Sequence, residues 1–284
     1  MVSILTRIYD RLRQFNHHRT TEVFFVGYPK TGNTWARFLI GRYCQLLCEM
    51  TELPLFDSCD LLGRCERACV GPSMHFTHRP LVWIHQTAAD LTFTSVIRPF
   101  LQKKIVLITR YPLDALVSSW FQFRYRGEAN YHGDLLTFLE DPILGLEKLI
   151  TFHNVWARWK DATKGILLLR YEDMSLDTGG QLQRLLEFLD IDVNLSIVNE
   201  AVEYASFNNM KKIEMSGKAP RYKSSGLNVF ATGDPQDPNA YHVRRGIIGG
   251  YKDHLSFNLW QKYEIQIAKT MHSFYGYCNF SQSY

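Results

Sequence analysis

The stretch Gly27-Tyr28-Pro29-Lys30-Thr31-Gly32-Asn33-Thr34-Trp35 carries the residue types of an anion-binding turn. It follows a short apolar run from Glu22 to Gly27 and precedes Trp35, Phe38, Leu39, Arg42 and Leu46 at helical spacing. Glycines in such a turn let backbone N–H groups and a helix N-terminus converge on an anion. Gly27, Gly32 and Thr34 keep the register of G-x-x-x-x-G-K-[ST], but Asn33 stands in the lysine place and Lys30 comes three residues earlier. A site that hydrolyses ATP or GTP needs that lysine on the β/γ-phosphates and Mg²⁺ close by. The turn therefore reads as a phosphate grip of a different kind. A P-loop small-molecule kinase using ATP and Mg is kept as the alternative, together with a non-catalytic nucleotide-binding module.

The elements that position this turn follow from apolar patterning. Glu22 to Gly27, Lys104 to Thr109 and Gly165 to Tyr171 read as buried strands. Helical periods run through Thr34–Cys48, Asp114–Phe123, Gln181–Leu189, Ser196–Tyr204 and Ser256–Phe274. Strands alternating with helices, apolar on both faces, predict an α/β fold with a central parallel sheet flanked by helices in a single P-loop-like domain. That domain is expected over 22–284, after an N-terminal amphipathic segment at 1–21. The stretch 208–245 is rich in Lys, Gly, Pro, Asn and Asp without a clear period, and reads as a lid loop.

Composition excludes several classes. Hydrophobic residues make up 46% and aromatics 14% of 284 residues, which rules out a disordered chain. The net charge of +4 is too small and dispersed for a nucleic-acid binder, yet suits a pocket that holds an anion. No run of 18 apolar residues is present, so no membrane span is expected. Arg7, Asp10, Arg11 and Arg13 interrupt the apolar start and argue against a signal peptide. Cys44, Cys48, Cys59, Cys65, Cys69 and Cys278 form no C-x-x-C pair, so free thiols in a cytoplasmic protein are expected.

Tyr28-Pro29-Lys30-Thr31-Gly32-Asn33-Thr34-Trp35 resembles the Y-P-K-S-G-T-T-W loop of the cytosolic sulfotransferases. Those enzymes take a sulfuryl group from 3′-phosphoadenosine 5′-phosphosulfate (PAPS) and release 3′-phosphoadenosine 5′-phosphate (PAP). The resemblance implies that Lys30, Thr31, Gly32, Asn33 and Thr34 hold the 5′-phosphosulfate, and that Trp35 stacks on adenine.

Four further stretches are similar to the same family, in the same order. Arg110-Tyr111-Pro112-Leu113-Asp114 with Ser118 resembles R-N-P-x-D-x-x-x-S, which implies that Arg110 and Ser118 grip the 3′-phosphate. Arginine suits that task through its planar, bidentate fork. Tyr171-Glu172-Asp173-Met174 matches Y-E-D-M, which assigns Tyr171 to the adenine amino group. Ser206-Phe207 with Met210-Lys211 resembles S-F-x-x-M-K and places Phe207 on the second adenine face; Ala205 replaces the family Thr. Arg244-Arg245-Gly246 resembles the start of R-K-G-x-x-G-D-W-K, whose basic pair and glycine close over the 3′-phosphate; Gly250 and Tyr251 depart from it.

The resemblance also implies the chemistry. An in-line sulfuryl transfer to a hydroxyl or amine of a small-molecule acceptor requires positioning, charge stabilisation and a base, and no metal. Lys30 is expected to neutralise the leaving phosphate, and Ser118 to tune Lys30. His78, in Thr77-His78-Arg79-Pro80, is similar to the family base in K-T-H-x-P, with His75 as fallback. Phe76 stands where that family has Lys, so a second cation is either absent or supplied from elsewhere. Phe76, Trp83, Trp120, Phe121, Tyr125 and Tyr131 are expected to border an apolar acceptor pocket. The family's dimer motif would start at Lys252, but Ser256, Phe257 and Gln261 break it, leaving a homodimer open.

Overall fold

Short runs of β-branched, aliphatic and aromatic residues make the sheet. Strands β1 (Val23–Gly27), β2 (Met74–Thr77), β3 (Lys104–Thr109) and β4 (Gly165–Arg170) are all parallel, in the order β2-β1-β3-β4. The computed structural model describes residues 19–53, 71–78, 86–126, 131–221, 229–230, 234 and 236–278. The amphipathic helix expected before residue 19, Trp83, and Cys59, Cys65 and Cys69 lie outside the described residues.

Helices cover both faces of the sheet. They are α1 (Asn33–Leu47), α2 (Pro112–Tyr125), α3 (Leu135–Glu140), α4 (Leu146–Arg158), α5 (Tyr171–Leu176), α6 (Thr178–Phe188), α7 (Leu195–Tyr204), α8 (Phe207–Met215) and α9 (Phe257–Thr270). Strand side chains alternate between two cores. Phe24, Val26, Ile105 and Leu107 pack with Leu116 of α2 and Phe152 and Trp156 of α4. Val23, Phe25, Val106 and Ile108 pack with Phe38 of α1, Leu185 of α6 and Val198 of α7. This is the expected α/β architecture.

From β1 the chain builds β2 on one side and then β3 on the other. The strand order reverses between β1 and β3, and a crevice opens there beyond the carboxyl ends of the strands. The turn after β1, the Arg110 segment after β3, His78 after β2 and Tyr171 after β4 all start at that edge.

Helices α3, α4 and α5 stand where the sequence reading places no helix, and three further elements differ from it. β2 is only four residues long and contains His75 and Thr77, so it offers no apolar run. Residues Phe207–Met215, read as part of a lid, form α8, with Ser206 Oγ accepting the Asn209 amide at 3.3 Å. Its buried face is Met210 and Glu214, and a charged residue on the inner face conceals the helical period. The C-terminal helix stops at Thr270 rather than Phe274. There Asn154 donates to the Thr270 carbonyl at 2.7 Å and accepts the His272 amide at 2.8 Å.

Candidate active site

The turn after β1 is shaped by two residues of left-handed backbone, Lys30 at φ 65° and Gly32 at φ 115°. Lysine rarely adopts that conformation, and such strain is sustained where surrounding structure demands it. The bend sets the Lys30 side chain into a cavity of about 1040 Å³. No side chain caps the first turn of α1 and no acidic residue occupies it, so its amide groups and positive dipole end remain available to an anion.

The expected site residues converge on this cavity. Lys30, Gly32, Asn33, Thr34, Trp35, His78, Arg110, Ser118, Tyr171, Phe207, Arg244, Arg245 and Gly246 all line it. Thr31 differs: its fully buried side chain donates to the Tyr28 carbonyl at 2.6 Å, which leaves only its backbone for a ligand. Lys30, Arg37, Arg110, Arg244 and Arg245 make the cavity basic, and Asp114 is the one carboxylate among its described lining residues.

That crowding shows in the titration of Lys30. Burial first, then the neighbouring Arg126 and Arg110, lower its pKa to about 7, with Glu214 opposing. A bound anion would reverse the sign of this local field and restore the ammonium.

His78 follows β2, whose register sets Thr77 beside Val26 of β1. Its Nδ1 lies 2.8 Å from the Gly27 carbonyl, which can only accept, so the ring proton sits on Nδ1 and the lone pair on Nε2. Burial holds the ring neutral by lowering its pKa to about 4; Arg37 and Lys30 add to this against the Gly27 bond. The fallback base His75 is buried and lies edge-on to Phe24 at 5.5 Å, away from the cavity lining.

A second basic group lies across the cavity. Arg110 donates to the Ile247 carbonyl at 3.1 Å, and its guanidinium sits 4.2 Å from the centre of the Tyr171 ring. Asp114 accepts the Gly249 and Tyr251 amides at 2.7 and 3.1 Å, which latches the 244–251 loop onto α2. Arg244 lies over the Phe121 ring at 3.7 Å; burial and the charges of Arg245 and Arg110 lower its pKa to about 10. Arg245 pairs with the exposed Asp253 at 2.5 Å. Gly246 has φ 66°, and a Cβ there would fall 2.6 Å from the Phe207 ring, so only glycine permits this approach.

The aromatic residues expected around an acceptor are mostly elsewhere. Phe76 is core, stacked on Phe25 at 4.1 Å. Phe121 is buried beneath Arg244, Trp120 donates to the Gly133 carbonyl at 3.1 Å, Tyr125 stacks on Phe121, and Tyr131 packs on Phe138. None of these five lines the cavity. On β2 and α2, alternation and helical phase turn the rings inward. Polar residues missed by sequence reasoning take their place: Arg37, Gln122 and His242. They belong to no motif.

Comparison with known proteins accords with this geometry. The sulfotransferase domain family model matches residues 20–275. Cytosolic sulfotransferase 3 of Arabidopsis thaliana is 26% identical over 264 residues, covering 86% of this chain and 75% of that protein. The amine sulfotransferase of Oryctolagus cuniculus is 24% identical over 284 residues, covering 94% of this chain and 86% of that one. Among solved structures, mouse sulfotransferase SULT7A1 complexed with PAP shares the fold at a TM-score of 0.60. It is 20% identical and covers 92% of this chain and 90% of its own. The chain belongs to the sulfotransferase domain family, and its parallel sheet with the basic crevice at the strand ends is the scaffold of a sulfotransferase.

Proposed function

We propose that this chain moves the sulfuryl group of PAPS to a hydroxyl or amine of a small-molecule acceptor. The observation that carries this is the convergence of Lys30 and a neutral, tautomer-fixed His78 on one basic cavity. The bond from sulfur to the bridging phosphate oxygen breaks, and a bond from sulfur to the acceptor oxygen or nitrogen forms. The acceptor's proton passes to His78 Nε2. The charge left on the 5′-phosphate of PAP meets Lys30 and the first amides of α1.

The remaining residues hold the donor. Arg110, Arg244 and Arg245 supply charge for the 3′-phosphate, and Gly246 brings the loop backbone close. Trp35 and Phe207 are the two aromatic faces for adenine, with Tyr171 beside Trp35 at 5.2 Å. Ser118, on the cavity side of α2, is the partner that tunes Lys30. The ATP-dependent alternative loses support at Asn33, which occupies the place of the phosphate-binding lysine. The cytoplasmic placement read from the sequence is supported by the cytosolic sulfotransferase among the chain's relatives. Among the described residues, no helix is long and apolar enough to cross a membrane.

Calorimetric titration tests the reading. Micromolar binding of PAP with none of ATP·Mg²⁺ is expected. Preference for ATP would transfer the cavity to the kinase reading.

A further inference from the structure

Both ring nitrogens of His242, in the cavity wall, are committed. Nδ1 lies 2.7 Å from Arg126 Nη1, at the end of α2, and Nε2 lies 3.0 Å from Thr34 Oγ1, in the first turn of α1. A guanidinium can only donate. Nδ1 is therefore the acceptor, the ring proton sits on Nε2, and Nε2 donates to the Thr34 hydroxyl. An oxygen that accepts from this side keeps its own proton to donate. Thr34 lines the cavity beside Lys30 and Asn33, where the α1 amides converge.

The backbone of His242 is fixed as well. Glu214 of α8, itself buried, accepts the His242 amide at 2.6 Å and the Val243 amide at 2.8 Å. The Phe230 ring packs against the imidazole with centroids 5.7 Å apart. Burial first, and then Lys30 of the turn, Arg126 at the end of α2, Arg37 of α1 and His78 after β2, hold the ring uncharged. An imidazolium would leave Arg126 without its acceptor.

We propose that Arg126 and His242 are positioning residues for the sulfuryl donor: Arg126 fixes the His242 tautomer, His242 orients the Thr34 hydroxyl, and that hydroxyl donates to the 5′-phosphosulfate end. The proposal rests on the sulfotransferase reading above. Within that reading it assigns a purpose to a histidine and an arginine that lie 116 residues apart in sequence.

Paired titrations with PAP and with adenosine 3′-phosphate, which lacks the 5′-phosphate, test it on the full chain. His242→Phe and Thr34→Val are each expected to weaken PAP by about tenfold and leave adenosine 3′-phosphate essentially unchanged. The double variant should be no weaker than Thr34→Val alone, because both changes act through one hydroxyl. Thr34→Ser should retain PAP affinity. Arg126→Met releases Nδ1, so its PAP affinity relative to wild type should fall at about pH 8, where tautomers mix. Arg126→Lys, which still donates to Nδ1, should retain it. If His242→Phe fails to fold, Thr34→Val, Thr34→Ser and Arg126→Met carry the same comparison. Equal losses for both ligands, additive losses, or a loss in Arg126→Lys equal to that in Arg126→Met would overturn the relay. Wild-type protein that binds neither ligand would overturn the sulfotransferase reading instead.

Discussion

The Asp114 carboxylate accepts the Gly249 amide at 2.7 Å and thereby ties the first turn of α2 to the basic loop that ends the cavity. A second bond, from the Tyr251 amide at 3.1 Å, closes the latch. Burial raises the pKa of this carboxyl, while Arg110 and the loop amides oppose the rise. Asp114→Ala leaves buried amides without an acceptor and should destabilise the fold by roughly 1–3 kcal/mol. PAP affinity should fall with it, because Arg244 and Arg245 lose their fixed approach. Thermal melting and PAP titration of the variant measure both effects.

Arg110 bonds the Ile247 carbonyl at 3.1 Å and faces the cavity from the end of β3. Arg110→Ala should weaken PAP by about 1.5–3 kcal/mol, the contribution of a hydrogen bond to a charged group. Adenosine 5′-phosphate, which lacks the 3′-phosphate, should bind wild type and variant alike. Equal weakening of both nucleotides would remove Arg110 from the 3′-phosphate.

Gly246 meets Phe207 where a Cβ would stand 2.6 Å from the ring, at φ 66°. Gly246→Ala must adopt left-handed backbone, at about 1–2 kcal/mol, and displace Phe207. PAP binding should weaken while melting shifts only slightly, since the site is on the cavity rim. Titration beside a melting curve separates the two effects.

The pH dependence follows from Lys30 and His78. Lys30 has a pKa lowered to about 7 in the free protein, so its ammonium is present below that pH and lost above it. Donor capture, read as kcat/KM for PAPS, should therefore decline as pH rises through about 7. His78, with its pKa lowered to about 4, stays a neutral base until the pH falls to that value, which sets the acid limb. Lys30→Arg keeps its charge at alkaline pH and should remove the upper limb. An upper limb unchanged in Lys30→Arg would assign it to another group.

Much of this arrangement was legible in the residue order, and the rest was hidden for physical reasons. β1 and β3 announce themselves because both faces of each are buried among apolar residues. β2 does not, since its register against β1 holds His75 and Thr77 in place without an apolar run. The turn at Lys30 and the Arg110 segment are local in sequence, so motif spacing reveals them. The contact of His242 with Thr34 spans 208 residues and arises only when the loop after α8 folds back over α1. The rings expected around an acceptor misled because composition near a motif does not report helical phase. Phe121 on α2 turns into the core and supports Arg244 instead of lining the cavity.

The most direct measurement is transfer of radiolabelled sulfur from PAPS to a panel of phenols, alcohols and amines, with wild type and His78→Ala compared at equal PAPS occupancy. The expected result is label in at least one acceptor class with wild type, and loss of transfer in His78→Ala while PAP still binds. Undiminished transfer by His78→Ala, or wild-type protein that binds PAP and labels no acceptor, would contradict catalysis by Lys30 and His78 in this cavity.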